Sequence, residues 1–107
     1  MTTLDRAKQI AALIDNKKGE EVRVLQIGTL TTIGDYFVVA TGNSTTQVKA
    51  LADEVEEKLS AEGLEPKRIE GYASASWILL DYYDVIVHIF LKETREFYAL
   101  ERLWGDA

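Results

Sequence analysis

One histidine and two carboxylates lie within the most apolar stretch of this 107-residue chain, WILLDYYDVIVHIF at residues 77–90. His88 is the only histidine in the sequence, and Asp81 and Asp84 are the two acids. An imidazole held beside a carboxylate is the usual arrangement for general acid–base or nucleophilic catalysis. The stretch therefore raises the question of an active site.

Strand geometry separates these groups. In an extended strand Asp84 and His88 face the same side, but they lie about 13 Å apart at roughly 3.3 Å per residue. With Tyr82-Tyr83 as a two-residue turn, Asp81 pairs with Asp84 and Trp77 lies opposite His88. The nearest neighbour of the histidine is then an indole. We therefore predict a structural histidine that packs beside aromatic side chains.

Other arrangements that could perform chemistry are equally incomplete. Ser74 and Ser76 precede the stretch, but no G-x-S-x-G elbow accompanies them. Two aspartates three residues apart flank a turn instead of facing one metal pair, which usually needs carboxylates one residue apart on a strand. Gly42-Asn43-Ser44 resembles an anion-binding approach to a helix, yet one glycine turn falls far short of a phosphate-binding loop. We predict no catalytic residue, no metal site and no cofactor.

Composition points to one soluble globular domain that spans residues 1–107, with 47% apolar and 28% charged residues. The chain has no cysteine and no apolar run near the roughly 18 residues of a membrane span. Its first residues do not resemble a signal peptide, so we expect a cytoplasmic protein without membrane contact. The net charge of -6 disfavours nucleic acid and favours a basic protein partner.

Hydrophobic periodicity predicts eight elements in the order α-β-β-α-β-β-β-α. One helix is predicted from about Leu4 to Lys17 with Gly19 at its end, and a second from a Ser44–Gln47 capping box to Gly63. A third is predicted over residues 95–104. The predicted strands cover residues 22–27, 36–42 and 67–71 and two segments within 77–90. This order predicts an α/β (α+β) fold with a mixed β-sheet flanked by helices.

Aromatic residues concentrate in the last third of the chain. Trp77, Tyr82 and Tyr83 lie beside a turn and a small-residue loop at residues 73–76, where full burial is difficult. Partly exposed aromatic side chains flanked by acids are typical of an interface for a basic partner. Simple coverage of the sheet edge is the alternative that composition leaves open.

Three segments carry a resemblance to a known family. They are GDYFVVATGNSTTQVKALADEVEEKL, EGYASASWILLDYYDVIVHIF and REFYALERLW. Their jointly specific motifs are D-Y-F-V, Q-V-K-A-L-A-D, E-G, W-x-L-x-D-Y, D-V-x-V-H-x-F and F-Y-x-L-E-x-L-W. The chain resembles the ribosomal silencing factor family, also called the Iojap family, from about Leu4 to Ala107.

The resemblance implies a nucleotidyltransferase-like fold that has lost its catalytic carboxylates, and hence a protein that is not an enzyme. It implies binding to the large ribosomal subunit through its fourteenth protein, at the face that meets the small subunit. Such binding blocks subunit joining and lowers translation when nutrients are scarce. The basic ribosomal protein suits the acidic chain, and little direct contact with nucleic acid is expected.

The resemblance also assigns a partner-binding set by matching E-G and W-x-L-x-D-Y to this sequence. These residues are Glu70, Gly71, Trp77, Leu79, Asp81 and Tyr82. We expect the apolar and aromatic members to be anchors and the two acids to face basic groups, whereas His88 is structural. One departure concerns Tyr83, because relatives commonly carry glycine there and tyrosine adopts a positive φ only at a cost.

Two other functions remain open from sequence. The first is a small nucleotide-handling enzyme on a related fold, which would show magnesium-dependent turnover that depends on Asp81 or Asp84. The second is a self-associating domain, in which exposed aromatic side chains pair two copies away from the ribosome.

Overall fold

Seven helices and strands are defined in the structure, a computed structural model that describes residues 2–27 and 35–94. They are α1 Thr3–Asn16, β1 Glu20–Gln26, β2 Tyr36–Gly42, α2 Thr45–Ala61, β3 Arg68–Glu70, β4 Trp77–Tyr82 and β5 Val85–Leu91. Both predicted N-terminal helices and all five predicted strands are present within one or two residues of their expected bounds. The predicted helix over residues 95–104 lies outside the described residues.

Helix α1 begins with a reciprocal capping box. The Thr2 hydroxyl accepts from the backbone N–H of Asp5, and the Asp5 carboxylate accepts from the N–H of Thr2, both at 3.1 Å. These bonds hold the pKa of Asp5 below its ordinary value. The helix ends at Asn16, three residues before the predicted terminal glycine, and Lys18 takes the left-handed conformation with φ 69°. Leu4, predicted to face the core, is 36% exposed in the first turn.

Helix α2 begins and ends at the predicted residues, although its cap differs in one bond. The Ser44 hydroxyl accepts from the N–H of Gln47 at 3.1 Å, as a capping box requires. The Gln47 side chain accepts from Asn43 N–H instead of the Ser44 N–H. At the other end Gly63 adopts φ +83°, and the N–H of Leu64 donates back to the carbonyl of Leu59 at 2.9 Å.

The strands form one mixed sheet in the order β1-β2-β5-β4-β3. Strands β2 and β5 pair in parallel and the other pairs are antiparallel. The two central strands are buried along almost their whole length, which explains their nearly continuous apolar sequences. The mixed α+β architecture predicted from the element order is therefore confirmed.

The two faces of the sheet carry separate apolar clusters. One face packs against α1 and α2 through side chains that include Ile10, Leu51 and Ile78. The other carries a smaller cluster whose buried members are Leu25, Ile27, Phe37, Val39, Ile86 and Phe90. Trp77 and Leu79 pack against the rim of this second cluster. The alternation of β4 side chains between the two faces decides which of them reach solvent.

The β4–β5 register differs by two residues from the prediction. The turn is Tyr83-Asp84, so that Tyr82 pairs with Val85 and Trp77 with Phe90. The side chain of Asp81 stabilises this turn by accepting from the N–H of Tyr83 at 2.9 Å. A shift of two residues changes cross-strand partners but leaves every side chain on its predicted face.

Tyr83 occupies a backbone conformation that favours glycine, with φ 71°. We expect Tyr83→Gly to raise the free energy of unfolding by about 1 kcal/mol, because glycine removes the left-handed penalty. The lost contact with Lys67, whose Nζ lies 6.0 Å from the exposed ring, is weak. Urea denaturation would measure the change. Tyr83→Ala removes the ring but keeps the penalty, so an equal gain from that variant would contradict the explanation.

Candidate partner-binding groove

Four of the six residues assigned to partner binding line one groove at the β3–β4 edge of the sheet. Glu70, Gly71, Trp77 and Leu79 enclose a cavity of about 300 Å³. Antiparallel pairing of Glu70 with Leu79 fixes one wall. Since Trp77 and Leu79 are two residues apart on β4, their side chains project from the same face. Both are partly buried, so part of each side chain is available to a partner.

The backbone at the start of the β3–β4 loop passes very close to the backbone at the start of β4. Gly71 has φ +79°, and a Cβ added there would lie 2.1 Å from the carbonyl oxygen of Trp77. The N–H of Ala75 donates to the carbonyl of Gly71 at 3.0 Å, and Leu91 N–H donates to the Ser76 carbonyl at 2.9 Å. The positive φ and the close approach to Trp77 require a glycine at position 71. The backbone hydrogen bonds hold the loop in place beside the groove.

Trp77 is held on its inner side by the histidine. Its Nε1–H donates to Nδ1 of His88 at 3.0 Å, and its ring lies 4.9 Å from that of Phe90. His88 in turn packs edge-on against Phe37 at 4.3 Å. The prediction that an indole, and not a carboxylate, neighbours the imidazole is confirmed, although Leu79 and not Trp77 is the direct cross-strand partner of His88.

His88 is unsuited to proton transfer. It is 4% exposed, and burial lowers its pKa to about 4, so the imidazole is neutral near pH 7. Because Nδ1 accepts from Trp77, the ring proton lies on Nε2, which is buried and has no hydrogen-bond partner among the described residues. No hydroxyl or carboxylate lies in contact with either nitrogen within that part of the chain. The ring therefore supports the groove and performs no evident chemistry.

Asp81 lies on the same face of β4 as Trp77 and Leu79, and the side chain of Arg68 already pairs with it. Its side chain is 10% exposed, and Oδ2 lies 3.4 Å from Nε of Arg68. Arg68 also pairs with Glu70 at 3.1 Å, and both of those side chains are mostly exposed. Arg68 was not foreseeable from the sequence, because the pairing of β3 with β4 that brings it to Asp81 is not local. Glu70 is thus the acid that reaches solvent at the groove.

Tyr82 lies on the opposite face of the sheet from the groove. It alternates with Asp81 and is 4% exposed against the helix-side core, so the expectation of partial exposure was wrong for this residue. Burial raises its pKa to about 12, and its hydroxyl has no partner among the described residues. Tyr83, in contrast, is 57% exposed, as expected for a turn.

The unpaired hydroxyl of Tyr82 gives a direct test of its structural role. We expect Tyr82→Phe to raise the free energy of unfolding by about 1 kcal/mol, because it removes a buried polar group that forms no hydrogen bond. Partner binding should not change, since the hydroxyl does not reach the groove. Thermal and urea denaturation measure the first quantity. A loss of stability above about 1 kcal/mol would show that the hydroxyl has a partner and that this assignment is wrong.

Acidic side chains do not assemble into a metal site in the described chain. Within residues 2–27 and 35–94, no group of three or more His, Asp or Glu residues is arranged to hold a metal ion. The same residues contain no helix long and apolar enough to cross a membrane. The edge of the sheet therefore offers an apolar surface beside one exposed carboxylate, that of Glu70, which pairs with Arg68.

The fold and this groove define a small α+β protein with an aromatic groove at the β3–β4 edge of its sheet. The family model described as "Ribosomal silencing factor during starvation" matches residues 1–107. A Halalkalibacterium halodurans protein named ribosomal silencing factor RsfS is 46% identical over 94 residues, which cover 88% of this chain and 80% of that protein. The chain belongs to the ribosomal silencing factor family, a family of ribosome-associated regulators of translation.

Two further comparisons extend this assignment. A crystal structure of a Chromobacterium violaceum protein superimposes with a TM-score of 0.94 at 36% identity, covering 100% of this chain and 89% of that one. A Mus musculus protein named mitochondrial assembly of ribosomal large subunit protein 1 is 29% identical over 98 residues, which cover 89% of this chain and 43% of that protein.

Proposed function

We propose that this protein represses translation by binding the large ribosomal subunit in the cytoplasm and blocking its joining to the small subunit. The contact is with the fourteenth protein of the large subunit, at the face that meets the small subunit. Repression acts when nutrients are limiting. The protein works by occupying this surface and not by catalysis.

The groove formed by Trp77, Leu79, Glu70 and Gly71 is the observation that carries this proposal. A partly exposed indole beside a leucine offers a rigid apolar anchor, of the kind that dominates binding energy in protein interfaces. The Glu70 side chain is 59% exposed, so that, besides its pair with Arg68, it can contact a basic group of the partner at the rim. Of the remaining members of the sequence-assigned set, Asp81 lies on the same face of β4 as Trp77 and Leu79, whereas Tyr82 packs into the helix-side core on the opposite face.

Charge and family membership add independent support. The net charge of -6 favours encounter with a basic ribosomal protein and opposes direct contact with phosphate backbones. The name of the mouse relative refers to assembly of the large ribosomal subunit, which agrees with a partner on that subunit. Within the described residues, the buried, neutral His88 and the dispersed carboxylates offer no catalytic group to the enzymatic alternative.

A subunit-joining assay tests the proposal. Purified large subunits are preincubated with the protein, small subunits are added, and 70S formation is followed by light scattering. We expect the protein to sediment with large subunits alone and to reduce joining in proportion to its occupancy. Normal joining at saturating occupancy would reject the repressor mechanism. Magnesium-dependent nucleotide turnover that is lost on changing Asp81 or Asp84 would favour the enzymatic alternative instead.

A further inference from the structure

His88 has a contact that a merely space-filling residue would not need. The imidazole lies in an apolar cluster, packed against Phe37 at 4.3 Å and stacked near Phe90 at 6.2 Å. Within the described residues, its Nδ1 accepts a hydrogen bond from the indole N–H of Trp77. The other nitrogen stays buried without a partner there. A buried N–H without a partner costs free energy, and an apolar side chain would avoid this cost. The hydrogen bond to Trp77 is therefore the favourable interaction that a histidine provides here and an apolar residue would not.

The bond joins the core of the sheet to the wall of the groove. Trp77 is only partly buried, whereas His88 is fixed between β2 and β4 in the middle of the sheet. An indole on a sheet edge can rotate about two side-chain torsions, and a single directional bond to a fixed acceptor selects one orientation. A side chain that is already oriented loses less entropy when a partner binds.

We propose that His88 is a positioning residue, whose Nδ1 holds the indole of Trp77 in the orientation that forms the groove before any partner arrives. This inference rests on the proposed function of the groove. It assigns His88 no contact with the partner. Its effect reaches the partner through Trp77.

The free protein provides a test that is independent of the ribosome. The indole N–H of Trp77 gives one of two tryptophan side-chain resonances in an NMR spectrum, and Trp77→Phe identifies it. In the wild type we expect this proton to exchange slowly with water. His88→Leu removes the acceptor and fills much of the same volume, and exchange should then accelerate at least about tenfold.

His88→Asn is the matched variant, because its amide oxygen lies close to the position of Nδ1 and can accept the same bond. We expect this variant to restore slow exchange. A His88→Leu protein that is folded and keeps wild-type exchange would overturn the inference, as would an Asn variant that behaves like Leu. Circular dichroism and cooperative thermal unfolding show whether each variant is folded.

Acid titration of the wild type, with His88→Asn as its control, supplies a third readout. Protonated imidazole carries hydrogens on both nitrogens and cannot accept from the indole. Burial lowers the pKa of His88 to about 4, so the Trp77 resonance should move with a midpoint near that pH. The charged side chains that strand pairing places on the same face are Glu20, Arg23, Arg68, Glu70 and Asp81. A shift that persists unchanged in His88→Asn would originate from those groups and would contradict the inference.

Binding to isolated large subunits then separates this inference from the proposed function. If both hold, His88→Leu weakens binding about tenfold and His88→Asn recovers most of the loss. If Trp77→Ala binds as tightly as the wild type, the proposed function of the groove fails, whereas the exchange measurement still decides whether His88 holds the indole. If Trp77→Ala loses binding and His88→Leu does not, the positioning role fails alone.

Discussion

Gly71→Ala is expected to lower the free energy of unfolding by about 3 kcal/mol and to eliminate partner binding at ordinary concentrations. The left-handed conformation at φ +79° alone costs alanine about 1 to 2 kcal/mol. The added Cβ would also lie 2.1 Å from the carbonyl oxygen of Trp77, which belongs to the backbone and cannot rotate away. The loop must therefore move, and the groove wall moves with it.

Gly63→Ala is the matched control for this change. Gly63 has nearly the same φ, +83°, but a Cβ added there meets no atom within 4 Å. This variant should lose only about 1 kcal/mol of stability and keep full binding. Urea denaturation of both proteins, followed by co-sedimentation with large subunits, measures the difference. Equal losses in the two variants would mean that the close approach of Gly71 to Trp77 has no energetic consequence.

Trp77→Ala should weaken binding to the large subunit roughly 100-fold, or about 3 kcal/mol, because the indole is the largest anchor in the groove. The domain should remain folded, since Trp77 lies at the rim of the smaller apolar cluster and not within the helix-side core. Co-sedimentation over a range of concentrations gives the affinity. A cooperative unfolding transition establishes that the loss is not caused by unfolding.

Tyr83→Ala provides the comparison for Trp77→Ala. Tyr83 is an exposed aromatic residue at the other end of β4, six residues from Trp77 and outside the groove lining. Its removal should leave binding to the large subunit unchanged. If Tyr83→Ala weakened binding as much as Trp77→Ala, the contact would extend along the hairpin and would not centre on the groove.

Local sequence patterns predicted most of the fold. The capping sequence Ser44–Gln47 marks the start of α2, and Gly63 marks its end. The nearly continuous run of β-forming residues at 36–42 indicated an interior strand, as β2 is. These features succeed because capping bonds and burial on both faces of a strand depend on residues close together in sequence.

The hairpin register could not be derived in the same way. A turn at Tyr82-Tyr83 and one at Tyr83-Asp84 place the same side chains on the same faces, so hydrophobic alternation does not distinguish them. The Asp81 side-chain bond to Tyr83 N–H favours the second turn, at the cost of a positive φ on tyrosine. Tyrosine rarely adopts a positive φ, but the cross-strand pairing of β4 with β5 outweighs this conformational preference.

The candidate groove was only partly foreseeable. The alternation of β4 placed Trp77 and Leu79 on one face, and strand spacing separated His88 from the carboxylates. The burial of Tyr82 depends on α1 and α2 packing over the other face, and the neutralisation of Asp81 depends on Arg68 from β3. Both the burial of Tyr82 and the pairing of Asp81 depend on contacts between elements that are distant in sequence. The residue pattern within one strand gives no information about such contacts.

Titration of the isolated fourteenth ribosomal protein with this chain tests the central claim most directly. Calorimetry should detect saturable binding with one copy of each protein, and Trp77→Ala should weaken it about 100-fold. The use of the isolated protein removes ribosomal RNA and every other subunit component from the measurement. Absence of binding by folded proteins, or equal affinity of wild type and Trp77→Ala, would contradict the account.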